Sequence, residues 1–334
     1  MEIIKKLMRQ CGLGDVTANI EPVSGGFMHR MYKVQTESGT YAVKHLNPEI
    51  MKRPDVLSNY KRAEQLEKRL ADSGIPIVPS LELNGRKLQE LDGGFFYIFK
   101  WHDGSITDRN DITAEMCFEA GGILGRIHSI EPREAEAQPA PESRIDWHAY
   151  ARRAAETDPE TAAALEANIP LLEAAGRELD RAAAALPGIC CISDEDMDPK
   201  NVMWLNGEPV VIDLECLDYG NPASHALQLA LQWAGVTTCS LDPGKLSAFM
   251  RGYLEAYDNG FRGYRDIPGI AYTWLDWLEY NVRRALGECA DEAERRMGVS
   301  ETLCTIDRIR HISEMTPVIQ KTLWEIDLTP YNML

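Results

Sequence analysis

A short acidic segment, DEDMDPKN, carries residue types that suit chemistry at an oxygen atom. Asp196 and Asn201 are five residues apart, and Asp213 follows twelve residues later at the end of the apolar segment PVVID. In phosphoryl transfer to a hydroxyl, one carboxylate accepts the hydroxyl proton, while an amide oxygen and a second carboxylate hold Mg²⁺ against the phosphates. The spacing therefore predicts that Asp196 is a general base and that Asn201 and Asp213 are metal ligands.

Other acidic side chains crowd the same segment. Asp194, Glu195 and Asp198 repel one another, so we expect them on a wet surface or around a cation. Two interpretations stay open at this point: they form a solvated turn, or they attract a cationic acceptor. Pro199 would stiffen the loop between the base and the first metal ligand.

Lys44 lies in the strand-like segment YAVKHL among apolar neighbours, so its ammonium group needs a counter-charge. Glu64, on the apolar face of the next predicted helix, is the expected partner. A strand lysine paired with a helix glutamate holds the α- and β-phosphates in kinases. Such residues are also common on strands and helices that have no function of this kind.

Gly25 and Gly26 lie between two predicted strands in SGGFMHRMYKV. Two glycines allow backbone N–H groups to approach phosphate oxygens without obstruction by a Cβ atom. The same pair would also suit an ordinary hairpin turn. The pattern G-x-x-x-x-G-K-[ST] is absent, which excludes a Walker loop.

The predicted secondary structure that positions these residues changes from mainly strands to mainly helices along the chain. Strands and turns are predicted over residues 20–46, a helix over 54–73, and further strands over 78–83 and 87–101. From about residue 110 the pattern is helical, apart from one β-hairpin that contains the acidic segment. The sequence thus predicts a small β-rich part followed by a large helical part.

This ordered combination resembles the aminoglycoside phosphotransferase and choline kinase family, relatives of the protein kinases. The resemblance rests on GGFMHRMYKV, YAVKHL with Glu64, the GIP segment at 74–76, LGRIHSI at 124–130, DEDMDPKN, and IDLE at 212–215. It covers about residues 20–230. It implies an α+β, protein-kinase-like two-lobed fold, with a small antiparallel β-sheet N-lobe with one helix and a large, mainly helical C-lobe. The N-lobe would bind the nucleotide over residues 1–101, and residues 102–334 would form the catalytic and acceptor-binding lobe.

The resemblance also implies an activity, namely ATP-dependent transfer of the γ-phosphate to a hydroxyl of a small molecule, with ATP and Mg²⁺ as cofactors. An aminoglycoside, choline or an amino sugar would fit as a cationic acceptor. The segment YIFKWHDG is similar to the strand and linker between kinase lobes, which places Lys100, Trp101 and His102 beside the adenine. The alternative is a catalytically silent nucleotide-binding or regulatory protein on the same fold.

Two departures from the family pattern bear on that alternative. Asp194 replaces the histidine of the family's catalytic loop, and His225 occupies a later, usually acidic position in GNPASHAL. Neither change removes a phosphate or metal ligand, but the first leaves open what supports the loop. Glu215 is expected to support the metal site from behind the ligands.

The helical segment AYTWLDWLEYNVRRAL offers a candidate acceptor site. Trp274, Trp277 and Tyr280 could cover the apolar parts of a cation, while Asp276 and Glu279 meet its charge. Aromatic residues three and four positions apart are also typical of core packing, so both interpretations stay open. His128, in the LGRIHSI helix, is expected to be structural.

Composition limits the partners. The formal charge of −17 over 334 residues disfavours nucleic acid, whose phosphates require clustered Lys and Arg. The eight cysteines contain no C-x-x-C pair and are typical of reduced thiols. No segment has the length of apolar sequence that a membrane span requires, and the N-terminus lacks the apolar core of a signal peptide. We therefore expect a soluble cytoplasmic protein whose partner is a small molecule.

Overall fold

The computed structural model describes residues 1–23, 29–135 and 145–328. Gly25 and Gly26, the predicted phosphate-loop glycines, lie outside the described residues. The chain forms two compact units, each made of two segments. The first unit comprises Met1–Asp108 with Asp194–Asp218, and the second comprises Arg109–Ser193 with Tyr219–Leu334.

The regular elements are numbered along the chain. The helices are α1 (Glu2–Gln10), α2 (Pro48–Met51), α3 (Val56–Asp72), α4 (Ala114–Ser129), α5 (Trp147–Thr157), α6 (Pro159–Ala184), α7 (Pro222–Trp233), α8 (Pro243–Ala256), α9 (Trp274–Ala285) and α10 (Glu292–Asp327). The strands are β1 (Glu21–Val23), β2 (Arg30–Thr36), β3 (Gly39–His45), β4 (Gln89–Leu91), β5 (Gly94–Lys100), β6 (Ser105–Ile106), β7 (Arg133–Glu134), β8 (Ile189–Asp194), β9 (Val202–Leu205), β10 (Glu208–Val211) and β11 (Leu217–Gly220).

The first unit is built on a five-stranded antiparallel sheet with the strand order β1-β2-β3-β5-β4. Val43 on β3 is fully buried in a core that includes Leu7 of α1. Because successive side chains of a strand point to opposite faces, Lys44 lies on the other face of the sheet. There it pairs across the strands with Tyr97 of β5, whose ring packs against Tyr60 of α3.

A second hairpin in this unit carries the predicted metal segment. β9 and β10 pair in antiparallel register, with Val202 opposite Val211. The turn residues Asn206 and Gly207 both have positive φ angles, 54° and 85°, as two-residue hairpin turns of the favoured twist require. The hairpin therefore brings the residues just before β9 next to those just after β10.

The second unit is mainly helical, and its helices α4 and α8 are in close contact. A Cβ atom at Gly121 would lie 2.0 Å from the carbonyl oxygen of Phe249, and one at Gly252 would lie 2.0 Å from that of Phe118. Only glycine permits this approach at these two positions. The approach brings His128, near the end of α4, to Tyr253 of α8.

Most elements lie where the sequence predicts them, including the helix predicted over 54–73, which is α3. The predicted strand over 78–83 is wrong, because this segment forms only isolated bridges. Pro79 has no N–H group to contribute to a ladder, and the N–H of Ser80 donates to the Glu67 carboxylate at 2.9 Å instead. Among the described residues, no helix combines the length and apolar composition needed to cross a membrane.

Candidate active site

The predicted base and first metal ligand lie together in the first unit. β8 ends at Asp194, and a 3₁₀ turn follows at Pro199–Asn201. The Asn201 side-chain amide donates to the Asp196 backbone carbonyl at 2.8 Å and to Oδ2 of the Asp196 carboxylate at 2.9 Å. Lys200 Nζ donates to the other carboxylate oxygen at 2.6 Å. The turn between them thus converts the five-residue spacing of Asp196 and Asn201 into direct contact.

The protonation of Asp196 depends on two opposing effects. Burial raises the pKa of the Asp196 carboxyl, the Lys200 ammonium lowers it, and the net shift is upward. A general base is most effective when its pKa lies close to the working pH. The environment of Asp196 therefore moves its pKa in the direction that general base catalysis favours.

The acidic neighbours of Asp196 are not all solvated. Glu195 is exposed, whereas Asp194 is fully buried and accepts the Asp196 backbone N–H at 3.1 Å on Oδ1. Asp198 is also buried, and it caps the 3₁₀ turn by accepting the Lys200 N–H at 2.9 Å. The solvated-turn interpretation is therefore wrong for Asp194 and Asp198. An Asp directly before a Pro at the first helical position was the sequence signal for the cap.

Asp194 is an unusual carboxyl group. Its Oδ2 atom is buried without a hydrogen-bond partner among the described residues. Burial raises the pKa of Asp194 to about 8. At neutral pH this side chain is therefore mostly protonated, and it supports the loop as a neutral group.

Asp213 follows β10 and comes directly after Ile212, the residue that pairs with Asn201. The Ile212 N–H donates to the Asn201 carbonyl at 2.9 Å, which extends the pairing of the hairpin by one residue on each strand. Asp213 has φ 62° and ψ 58°, a left-handed conformation that is uncommon for residues other than glycine. Such backbone outliers are concentrated at functional sites.

The two predicted metal ligands fit a magnesium ion. The Asn201 amide nitrogen is engaged by Asp196, which leaves its oxygen as the acceptor, and Asp213 supplies a half-exposed carboxylate. Mg²⁺ is held by one or two protein carboxylates together with water and substrate phosphates, rather than by a complete protein cage. No cluster of three or more His, Cys, Asp or Glu side chains arranged to hold a metal occurs in the described part of the chain.

Lys44 lies beside the metal segment. Its Nζ atom is 2.7 Å from an oxygen of Asp213 and 2.7 Å from an oxygen of Glu215. Burial alone would lower the pKa of Lys44, but the two carboxylates outweigh it and the net shift is upward. Lys44 is therefore a buried ammonium group in direct contact with the predicted metal ligand.

The prediction that Glu64 forms an ion pair with Lys44 is wrong. Within the described ranges, the contacts of Lys44 are Asp213 and Glu215, whereas Glu64 Oε1 accepts the Tyr97 hydroxyl at 2.8 Å. The reason is the sheet register, since Tyr97 is the cross-strand neighbour of Lys44 and presents its hydroxyl to α3. Asp213 and Glu215 supply the counter-charge instead.

The predicted adenine-binding segment lies at the end of β5. Lys100 is its last residue, and the Trp101 N–H donates to the Thr40 carbonyl at 3.0 Å. His102 Nδ1 accepts the Gly104 N–H at 3.1 Å. These contacts fix the backbone locally, and the role of the segment in adenine binding stays a prediction.

The predicted acceptor residues lie on α9 in the second unit. Trp277 and Tyr280 are 39% and 40% exposed and stack with ring centroids 5.4 Å apart, so core packing does not explain them. Trp274 is half-buried, and Glu279 accepts the hydroxyl of Tyr150 at 2.7 Å. An acceptor role for these side chains stays a prediction.

A buried polar network in the second unit includes Ser193, the residue directly before Asp194. Ser193 Oγ is hydrogen bonded to His128 Nε2 at 3.1 Å and to His225 Nδ1. His128 Nδ1 lies 2.9 Å from the Tyr253 hydroxyl, and burial places the pKa of His128 well below its usual value. Every contact can be satisfied when the protons run from His225 through Ser193 and His128 to Tyr253, whose hydroxyl then donates to the Pro222 carbonyl at 3.5 Å, and the reverse order along the three side-chain contacts satisfies them as well. A structural role for His128, as the sequence predicts, fits these contacts.

Sequence reasoning missed two of these residues. Lys200 is four residues after Asp196 and directly follows the Asp-Pro cap, which was a signal that the two side chains could meet. Ser193 carried no signal, since its partners are 65 and 32 residues away in the sequence.

Comparison with known proteins identifies the class. The sequence profile of the phosphotransferase enzyme family, APH, matches residues 19–267. The chain therefore belongs to the phosphotransferase enzyme family, which confirms the resemblance read from its motifs. A search of curated protein sequences found no match.

Solved structures confirm the predicted kinase-like fold. Spectinomycin phosphotransferase APH(9)-Ia in complex with ADP and spectinomycin has a TM-score of 0.67 and 15% identity, covering 98% of each chain. The amicoumacin kinase hAmiN, in complex with AMP-PNP, Ca²⁺ and its ligand Ami, has a TM-score of 0.59 and 12% identity, covering 90% of this chain and 92% of that one. Choline kinase from Cryptosporidium parvum Iowa II has a TM-score of 0.57 and 12% identity, covering 98% of this chain and 99% of that one.

Proposed function

We propose that this protein transfers the γ-phosphoryl group of ATP to a hydroxyl group of a small molecule. The observation that carries the proposal is the convergence of four side chains within the first unit. Asn201 binds Asp196 at 2.9 Å, Lys44 binds Asp213 at 2.7 Å, and the β9–β10 hairpin joins the two pairs. A base, an amide, a carboxylate and a cation are the groups that this reaction needs.

Each side chain has a defined part in the chemistry. Asp196 accepts the proton of the acceptor hydroxyl as its oxygen bonds to the γ-phosphorus and the bond from that phosphorus to ADP breaks. Lys44 offsets the negative charge of the α- and β-phosphates. Bound Mg²⁺, with Asn201 and Asp213 as its protein ligands, would supply further neutralisation of the phosphate charge.

ATP is the expected donor, and relatives of the same fold support this assignment. Spectinomycin phosphotransferase was solved with ADP, and the amicoumacin kinase with AMP-PNP and Ca²⁺. The remaining nucleotide contacts, at Gly25, Gly26 and Lys100–His102, stay predictions. The same holds for a nucleotide-binding lobe over residues 1–101 and a catalytic and acceptor-binding lobe over residues 102–334.

We propose a cationic amino alcohol as the acceptor class. The relatives are named for spectinomycin, amicoumacin, choline and ethanolamine, all of which carry nitrogen and hydroxyl groups. The chain has a formal charge of −17, which attracts cations. The exposed Trp277–Tyr280 pair, with Asp276 and Glu279 on the same helix, offers aromatic faces and carboxylates of the kind that bind such ligands.

A coupled assay of ATP consumption tests the function. The protein with Mg·ATP would be offered an aminocyclitol panel, including spectinomycin, and an amino alcohol panel, including choline and ethanolamine. We expect acceptor-dependent ADP release and a product heavier by one phosphate in mass spectrometry. Absence of both with every acceptor, in a protein that binds Mg·ADP, would favour the silent nucleotide-binding protein instead.

The observation that motivated the silent alternative has a structural counterpart. Asp194 replaces the family's loop histidine, yet it is buried and accepts the N–H of Asp196. The loop therefore retains a side chain that supports the base. Because Asp196, Asn201 and Asp213 are all present as well, we favour the enzyme.

The partner and location follow from composition. The strongly acidic charge disfavours nucleic acid as a partner. All eight cysteines lie in the described residues and carry thiol groups rather than disulfide bonds, as is usual in a reducing compartment. We propose a cytoplasmic enzyme that acts on a small molecule.

A further inference from the structure

Lys44 has two carboxylate partners, and they differ in their surroundings. The side chain of Asp213 is 37% exposed, whereas that of Glu215 is 19% exposed. Asp213 is the proposed metal ligand, so its carboxylate has to serve a divalent cation as well as Lys44. Glu215 is the partner whose contact with Lys44 can persist when the cation is bound.

Glu215 is itself held from its other side. Its Oε2 atom lies 3.2 Å from His29 Nε2, while its Oε1 atom faces Lys44. The two oxygens of one carboxylate therefore connect a histidine to the lysine. The His29 side chain is 9% exposed, so solvent competes little for this contact.

The backbone fixes the orientation of the His29 ring. The Asn47 backbone N–H donates to His29 Nδ1 at 3.0 Å. With Nδ1 as an acceptor, the ring proton lies on Nε2 and is donated to Glu215. Asn47 is the N-cap of α2, and its side chain accepts the Glu49 N–H at 2.9 Å. The start of this helix therefore fixes the backbone N–H group that donates to His29.

The lysine partner usual in kinases is engaged elsewhere. Glu64 Oε1 accepts the Tyr97 hydroxyl at 2.8 Å. Glu215, rather than the helix residue Glu64, is therefore the glutamate in contact with Lys44.

We propose that Glu215, oriented by His29, is the positioning residue that holds Lys44 for the nucleotide phosphates. This inference rests on the proposed function. Glu215 touches neither phosphate nor acceptor in this role and acts through Lys44. His29 in turn fixes the direction of the Glu215 carboxylate.

The test measures ADP binding by calorimetry in the presence of EDTA, where ligation of a metal by Asp213 cannot contribute. We expect Glu215→Gln to weaken ADP binding by about tenfold, because the neutral amide loses its charge interaction with Lys44. Glu64→Gln, which tests the rival arrangement, should weaken it less than threefold. Glu90→Gln, an exposed glutamate on β4, is the matched control and should bind ADP as the wild type does.

Two variants of His29 provide a second test if Glu215→Gln folds poorly, which thermal unfolding would reveal. His29→Leu removes the Nε2 donor and should weaken ADP binding severalfold. His29→Gln places an amide N–H within reach of Glu215 and should recover most of the loss. A merely structural role would make both variants equally weak.

The outcomes separate this inference from the proposed function. Equal ADP affinity in wild type, Glu215→Gln and His29→Leu would overturn the inference, whatever the activity. A larger loss in Glu64→Gln than in Glu215→Gln would overturn it as well. Failure of the wild type to phosphorylate any acceptor, with the ADP results as expected, would refute the proposed function and leave the positioning role supported. A wild type that binds no ADP would contradict both.

Discussion

The side-chain amide of Asn201 donates a hydrogen bond to the carboxylate of Asp196 across 2.9 Å. The nitrogen of the Asn201 amide therefore orients the proposed base, and its oxygen is left for the proposed metal ion. In the proposed function, this one side chain takes part in both proton acceptance and cation binding. Substitutions at Asp213 and Asp196 separate the two roles.

The proposed role of Asp213 as a metal ligand can be tested by substitution. Asp213→Asn removes the only negative charge among the two proposed protein ligands, so Mg²⁺ should no longer strengthen ADP binding. Thermal shift with ADP, in Mg²⁺ and in EDTA, measures this difference. Asp218→Asn, at an exposed ion pair with Arg62, is the control and should keep the Mg²⁺ effect. A full Mg²⁺-dependent shift in Asp213→Asn would show that the cation is held elsewhere.

Lys44 is expected to contribute to nucleotide affinity. Lys44→Ala should weaken ATP binding or turnover at least tenfold, about 1.4 kcal/mol, because the ammonium charge opposite the phosphates is lost. Lys68→Ala removes a lysine from an exposed ion pair on α3 and serves as the comparison. Unchanged nucleotide affinity and turnover in Lys44→Ala would remove this lysine from the site.

The raised pKa of Asp194 predicts that the free energy of unfolding depends on pH. The folded pKa is about 8 and the ordinary value is 3.8, so the folded state binds more protons than the unfolded state between these limits. Stability must then fall as pH rises from about 4 toward 8, by up to about 1.4 kcal/mol per pH unit from this group. Asp194→Asn cannot titrate, so its free energy of unfolding should fall less between pH 5 and pH 8. Urea unfolding at several pH values compares the slopes, and parallel slopes would contradict a neutral, buried Asp194.

Ser193 is expected to stabilise the fold. Ser193→Ala leaves His128 and His225 without their shared partner, and an unsatisfied buried polar group costs about 1–3 kcal/mol. Ser129→Ala, an exposed serine on α4, should change the free energy of unfolding by much less. Chemical denaturation measures both variants. Equal stability of the two would mean that the network contributes nothing to folding.

The sequence predicted the secondary-structure elements better than it predicted which side chains contact one another. The five-residue spacing of Asp196 and Asn201 is local, so a turn suffices to bring them together. The partner of Lys44 was predicted wrongly because its contacts lie about 170 residues away and depend on where the β9–β10 hairpin packs. Local patterns left open whether the crowded acids form a solvated turn or attract a cationic acceptor, and neither interpretation included the burial of Asp194, which is decided by tertiary packing.

Substitution of the base tests the central claim most directly. Asp196→Asn keeps the shape of the side chain and removes its capacity to accept a proton, while Glu195→Gln changes the exposed acid next to it. With an acceptor that the wild type phosphorylates, we expect the turnover of Asp196→Asn to fall by about 10² or more and its ADP affinity to stay within about twofold. Glu195→Gln should retain nearly full turnover. Wild-type turnover in Asp196→Asn would contradict the account, because the phosphoryl transfer would then proceed without the base on which it depends.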